Sequence, residues 1–179
     1  MRESRRSMRL PGYDYTRPGA YFVTLIAEGR VCLFGNIEDD KMVLNEFGHI
    51  VHECWNKIPD HFPNAELDAF VMMPNHLHGI LVLNGAGDHC SGDISVAATH
   101  GSPLRGPPKR SLGAIIAVFK SVAGRRINEI RKSPGVRVWQ RSFHDRIIRR
   151  DAGLHRIRWY IEMNPVKWER DRENPFSKR

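Results

Sequence analysis

The stretch FVMMPNHLHGILVL, residues 70–83, decides how the rest of the chain is read. It divides into two short apolar runs at Pro74-Asn75, a dipeptide suited to a turn. The second run opens on His76-Leu77-His78. Side chains alternate faces along a strand, so the two histidines point one way and Leu77 the other. Two imidazoles about 7 Å apart on one strand face can converge on a single metal ion. The run continues Ile80, Leu81, Val82, Leu83, apolar at every position, as a central strand covered on both sides would be. The plain alternative, two histidines at a strand end, stays open at this point, since the chain has nine histidines.

Upstream, GAYFVTLI at residues 19–26 follows Pro-Gly and is rich in β-branched and aromatic residues, so a strand is expected. Residues 31–35 and 41–44 flank the acidic turn Glu38-Asp39-Asp40 and predict a small hairpin. Asn45 can cap a helix over residues 46–58, with Phe47, Ile50, Val51, Cys54 and Trp55 on one face. Pro59 and Pro63 would stop it. Residues 65–73 are the strand that pairs with 76–83.

Downstream, residues 85–108 are rich in Gly, Ser and Pro and predict a flexible loop. Residues 111–131 carry a helical stripe of Leu112, Ile115, Ile116, Phe119, Val122, Ala123 and Ile127. Residues 136–148 read as an irregular strand. Asp151 opens a last helix to about Asn164, halted by Pro165, with Leu154, Ile157 and Ile161 on its buried face. Tyr160 and Asn164 stand four residues apart and therefore stack on one side of it. An ordinary amphipathic tyrosine with an Asn cap has the same spacing. The order β, hairpin, α, β, β, α, β, α is an α+β plan of ferredoxin-like type, with an antiparallel sheet and an extra hairpin near the N-terminus.

The chain of 179 residues, 41% hydrophobic, is sized for one domain, with residues 1–18 as an extended basic arm. No apolar run is long enough for a membrane span, and the basic start lacks the apolar core of a signal peptide. Three scattered cysteines argue against a disulfide scaffold and fit a reducing cytoplasm. The net charge of +8 is unevenly spread. Residues 105–150 hold thirteen Lys and Arg against two acids, whereas residues 1–104 hold eight against thirteen. That asymmetry predicts a polyanion-binding surface. Its candidates are Lys120, Arg125, Arg126, Arg137 and Arg141, joined by Arg5, Arg6 and Arg9 of the arm. Tyr13 and Tyr15, set between arginines, suit base stacking.

If the last helix docks on the sheet, it can bring Tyr160 and Asn164 over His76 and His78. Two imidazoles and an amide oxygen would then hold a divalent ion, Mn²⁺ or Mg²⁺, with positions left for a phosphate oxygen. Tyr160 would be the nucleophile, forming a phosphotyrosine ester whose retained bond energy lets a free hydroxyl end reverse the step.

The motif MPNHLHGILVL with WYIEMNP downstream resembles the HUH single-tyrosine transposases of the IS200-like superfamily. RLPGYDY, PGAYFVTL, NEFGHIV, SLGAIIAVFKS and WQRSFHDRIIR resemble the branch of REP-associated tyrosine transposases, in order along nearly the whole chain. The resemblance implies a ferredoxin-like HUH fold, metal-dependent cleavage of single-stranded DNA and a covalent 5′-phosphotyrosine intermediate. It matches His76, His78 and Asn164 to the metal ligands and Tyr160 to the nucleophile. It also implies a substrate of repetitive extragenic palindromes folded into hairpins. A non-catalytic nucleic-acid-binding module, a metal-dependent hydrolase that uses water, and a replication initiator or relaxase are the competing readings. The intact His76, His78, Tyr160 and Asn164 favour the nuclease. The sequence leaves monomer and homodimer, and an active site within or across chains, both open.

Overall fold

The structure, a computed structural model, describes residues 12–85 and 109–177. The expectations placed on Arg5, Arg6, Arg9 and residues 86–108 lie outside them. The elements run β1 (Gly19–Ile26), β2 (Gly35–Glu38), β3 (Lys41–Leu44), α1 (Glu46–Asn56), α2 (Ile58–His61), β4 (Ala65–Met73), β5 (His76–Leu83), α3 (Leu112–Ile130), β6 (His144–Ile148) and α4 (Asp151–Glu162). Four strands form one sheet in the order β4-β5-β1-β6, antiparallel at each junction, and β2 and β3 pair separately. With that hairpin set aside this is the ferredoxin-like plan.

Strand parity sorts the two faces. Leu77 and Leu81 of β5 and Tyr21, Val23 and Leu25 of β1 enter a core closed by Val51 and Trp55 of α1 and Ile115 and Phe119 of α3. The alternate positions, Thr24 opposite His78 and Ile26 opposite His76, face the other way. The start of α1 is capped by Asn45 as the sequence predicts, and α3, which begins one residue later than expected, is capped by Ser111. Asn45 Oδ1 accepts from Gly48 N at 3.0 Å, and Ser111 Oγ accepts from Ala114 N at 3.3 Å.

Several boundaries differ from the expectation, each for a visible reason. The hairpin's first arm is Gly35–Glu38, not 31–35, because Phe34 is buried and its N–H donates to Pro74 O at 2.9 Å. Asp39 and Asp40 both take positive φ, 47° and 60°, which suits a tight two-residue turn. Helix α1 stops at Asn56, and Pro59 falls in the first turn of α2, where its missing N–H costs nothing. The strand expected at 136–148 is reduced to His144–Ile148 and one bridge between Trp139 and Ala27. The carbonyls before it are taken by α3 side chains instead. Lys120 Nζ donates to Gln140 O and Ser142 O at 2.9 and 3.0 Å, and Asn128 Nδ2 donates to Val136 O at 2.8 Å. Helix α4 ends at Glu162, and the chain tightens into a 3-10 helix, Pro165–Arg170, with Asn164 at the junction. Of its expected buried face only Ile161 is fully covered. Residues 12–18 are not an extended arm. Tyr13 and Tyr15 pack edge to face at 5.1 Å beside Tyr21, whose hydroxyl donates to Arg17 O at 2.7 Å.

Candidate active site

His76 and His78 share the sheet face opposite the α1/α3 core, as alternation requires. They are 0% and 4% exposed, and their ring centroids lie 4.5 Å apart. Each ring is held by a neighbour. Asn75 Oδ1 lies 2.8 Å from His76 Nδ1. An amide oxygen only accepts, so this assigns the proton to Nδ1 and leaves Nε2 with its lone pair. That Nε2 is buried and has no partner. Thr24 Oγ1 lies 2.8 Å from His78 Nδ1, across the β1–β5 pair. Burial holds the His76 imidazole down to about pKa 3 and holds His78 well below its ordinary value. Both rings are therefore neutral at pH 7, the state in which imidazole binds a metal.

Helix α4 crosses this face and puts the Tyr160 hydroxyl 3.3 Å from His78 Nε2. Phe22 of β1 stacks on His78 and meets Tyr160 edge-on, so both rings lean on one apolar wall. Burial pushes the Tyr160 phenol up, while the neighbouring Asn164 amide works in the opposite direction. Asn164 is 2% exposed and its Oδ1 is buried without a partner. The orphaned Asn164 Oδ1 and His76 Nε2 suit a divalent cation with mixed nitrogen and oxygen ligands. A carboxylate joins them. Ligand atoms of His76, His78 and Asp171 all lie within 4.8 Å of one another, so this group could hold a metal ion.

The helix is fixed from the sheet edge. Arg158 donates to both oxygens of Asp68 on β4, at 2.9 and 2.6 Å. Asp68 sits where the β4–β5 register slips by one residue, between Leu67 and Phe70. That bulge opposes both Asp68 and Ala69 to Ile80, on the histidine face, and turns the carboxylate toward α4.

The basic candidates are elsewhere. Lys120, Arg125, Arg137 and Arg141 line a cleft of about 960 Å³ between α3 and residues 134–141, with Lys132 and Glu129. It belongs to the α3 layer, across the sheet from the histidines. Arg126 turns away from it and pairs with Glu53 of α1 at 2.7 Å. Tyr13 and Tyr15 are half-buried against the core. Asp171, Asn75, Thr24 and Arg158 were not singled out in the sequence. Asn75 had a signal, its place directly before His76. Thr24 required the register, and Asp171 required the 3-10 helix that carries it back.

No helix among the described residues is long and apolar enough to cross a membrane. No protein-family model matches the chain. An uncharacterized protein of Haemophilus influenzae (strain ATCC 51907 / DSM 11121 / KW20 / Rd) is 39% identical over 168 residues, covering 93% of this chain and 91% of that one. The chain belongs to one family with it. A second protein of that strain, described as "Putative REP-associated tyrosine transposase", is 26% identical over 155 residues, 86% of this chain and 74% of its own. A solved structure of a REP-associated tyrosine transposase bound to a REP hairpin shares the fold, with a TM-score of 0.55 at 19% identity. It covers 89% of this chain and 73% of that one.

Proposed function

We propose that this chain, which belongs with the REP-associated tyrosine transposases in sequence and fold, is a metal-dependent endonuclease and strand transferase for single-stranded DNA. The observation that carries the reading is the Tyr160 hydroxyl, 3.3 Å from a buried imidazole pair of which one nitrogen is left bare. His76, His78 and Asn164 would hold a divalent ion, Mn²⁺ or Mg²⁺. Bound there, such an ion offsets charge on a phosphate oxygen and favours the phenolate over the phenol.

The residues supply the rest. Tyr160 Oη attacks the phosphorus, the bond from phosphorus to the 3′ oxygen breaks, and that oxygen takes a proton from water as it leaves as the 3′ hydroxyl. The phenol proton passes to water at the ring's open edge, since Tyr160 is 40% exposed. The product is a 5′-phosphotyrosine ester. Attack by another 3′ hydroxyl reverses the step and rejoins strands, because one phosphate ester is exchanged for another. Phe22 and the Arg158–Asp68 pair keep the ring in place during both steps.

The substrate in this reading is hairpin DNA of the REP type, the ligand named for the solved relative. The exposed Arg125, Arg137 and Arg141 of the cleft would take its phosphates. Lys120, tied to the carbonyls of Gln140 and Ser142, sets one wall of the cleft, while Arg126 pairs with Glu53 outside it. Incubation with Mn²⁺ and a labelled REP-type hairpin should give a protein–DNA adduct that survives denaturation and disappears with EDTA. Free cleaved strands without an adduct would indicate water as nucleophile, and binding without cleavage a non-catalytic module.

A further inference from the structure

We propose that Asp171 is a ligand of the divalent ion, so that the site is completed by a carboxylate from the C-terminal segment as well as by the sheet and the tyrosine helix. The inference rests on the metal-dependent reading above. The 3-10 helix Pro165–Arg170 turns the chain back over the histidine face, where the Trp168 ring lies 6.1 Å from His76. Asp171 follows directly, with its N–H donating to Trp168 O at 3.0 Å. Its Oδ1 accepts from Glu173 N at 2.6 Å, which fixes the carboxylate's orientation.

The segment is then clasped. Glu173 pairs with Arg30 at 3.2 Å, and its carbonyl accepts from Asn75 Nδ2 at 2.7 Å. Asn75 is the same residue that holds His76, so one fully buried amide orients the imidazole and seats the strap bearing Asp171. The ligand atoms of His76, His78 and Asp171 fall within 4.8 Å of one another. Ligands about 2.1 Å from one ion stand about 3–4 Å apart, so a contraction of roughly 1 Å closes the set. With Nδ1 held by Asn75, the bare, buried Nε2 of His76 is the nitrogen left to ligate. Adding one anion to two neutral imidazoles and an amide strengthens the hold on a hard divalent cation.

Mn²⁺ binding to the whole chain tests this, by calorimetry and by electron paramagnetic resonance. Asp171→Asn keeps the Oδ1 acceptor for Glu173, so the strap stays seated while the negative charge is lost. Its Mn²⁺ affinity should fall at least tenfold, while the magnetic coupling of Mn²⁺ to imidazole nitrogen persists. Asp171→Glu should recover part of the loss. Unchanged affinity in Asp171→Asn and Asp171→Ala overturns the carboxylate's role and leaves the histidine site standing. No Mn²⁺ binding by the wild type overturns both.

Discussion

At the scale of single residues the site is a matter of proton bookkeeping. His76 can offer Nε2 because Asn75 takes the hydrogen on Nδ1, and partners that orient a ligating imidazole typically matter 10–100-fold to metal affinity. Asn75→Ala should therefore lower Mn²⁺ affinity by roughly tenfold or more. It also frees the carbonyls of Arg30 and Glu173. Calorimetric titration of the variant checks this, and wild-type affinity would remove Asn75 from the ligand's support. That the two histidines share a strand face, and Tyr160 and Asn164 a helix side, was legible from spacing, since alternation in a strand and stacking in a helix are local rules; their role was carried by the resemblance and not by the spacing. Asp171 was not, because nothing within its own seven or eight neighbours says that the chain folds back over β5.

At the scale of elements, α4 is held less by burial than by a polar latch. Only Ile161 of its residues is buried, whereas Arg158, two positions before the tyrosine, grips Asp68 in the β4 bulge. The pair is partly exposed, so its loss should cost little global stability. Misplacing the nucleophile by an ångström costs far more in rate, about a hundredfold. Asp68→Asn should thus cleave about ten- to a hundredfold more slowly while binding hairpin DNA with unchanged affinity. Equal loss of binding and cleavage would mark a folding defect instead.

The same latch sets an acid response. Arg158 holds the Asp68 carboxyl below its ordinary pKa. Its contribution is therefore present above the unfolded value of about 3.9 and is lost as pH falls through the lowered folded value. Urea midpoints of wild type and Asp68→Asn should differ near pH 6 and converge as pH falls below the ordinary carboxylate range, through the lowered folded value. A constant gap would show that the pair does not titrate as described. In the neighbouring strand, Gly79 admits the Trp55 indole against the β5 backbone, and a Cβ there would overlap the ring. Gly79→Ala should cost about 1–3 kcal/mol by overpacking, read from the same urea curves. A midpoint like wild type would show that the indole moves aside freely.

At the scale of the molecule, the proposed function divides between two surfaces. His76, His78 and Tyr160 lie on one face of the sheet, and the basic cleft lies in the helical layer on the other. A substrate engaging both must reach around the edge of the sheet, as a folded hairpin with a single-stranded foot is able to do. Hairpin affinity should fall steeply with salt, and Arg125→Ala, Arg137→Ala and Arg141→Ala should each reduce the logarithmic slope by about one. Arg126→Ala, whose charge is bound to Glu53, should change it little. A flat salt dependence, or equal effects from all four, would place the DNA elsewhere. The ferredoxin-like order was readable because each strand and helix carried its own period. The irregular residues 133–143 were not, because their carbonyls are satisfied by Lys120, Asn128 and Arg131, whose reach no local pattern encodes.

Tyr160 as the covalent nucleophile is the claim on which the others depend, and locating the adduct tests it most directly. Wild-type protein cut on hairpin DNA with Mn²⁺, then digested and sequenced by mass spectrometry, should carry a 5′-phosphonucleotide on Tyr160. Tyr160→Phe keeps the ring against Phe22 and His78, so it should fold, bind the hairpin and yield neither nick nor adduct. An adduct on Tyr13, Tyr15 or Tyr21, or continued nicking by Tyr160→Phe, would contradict it.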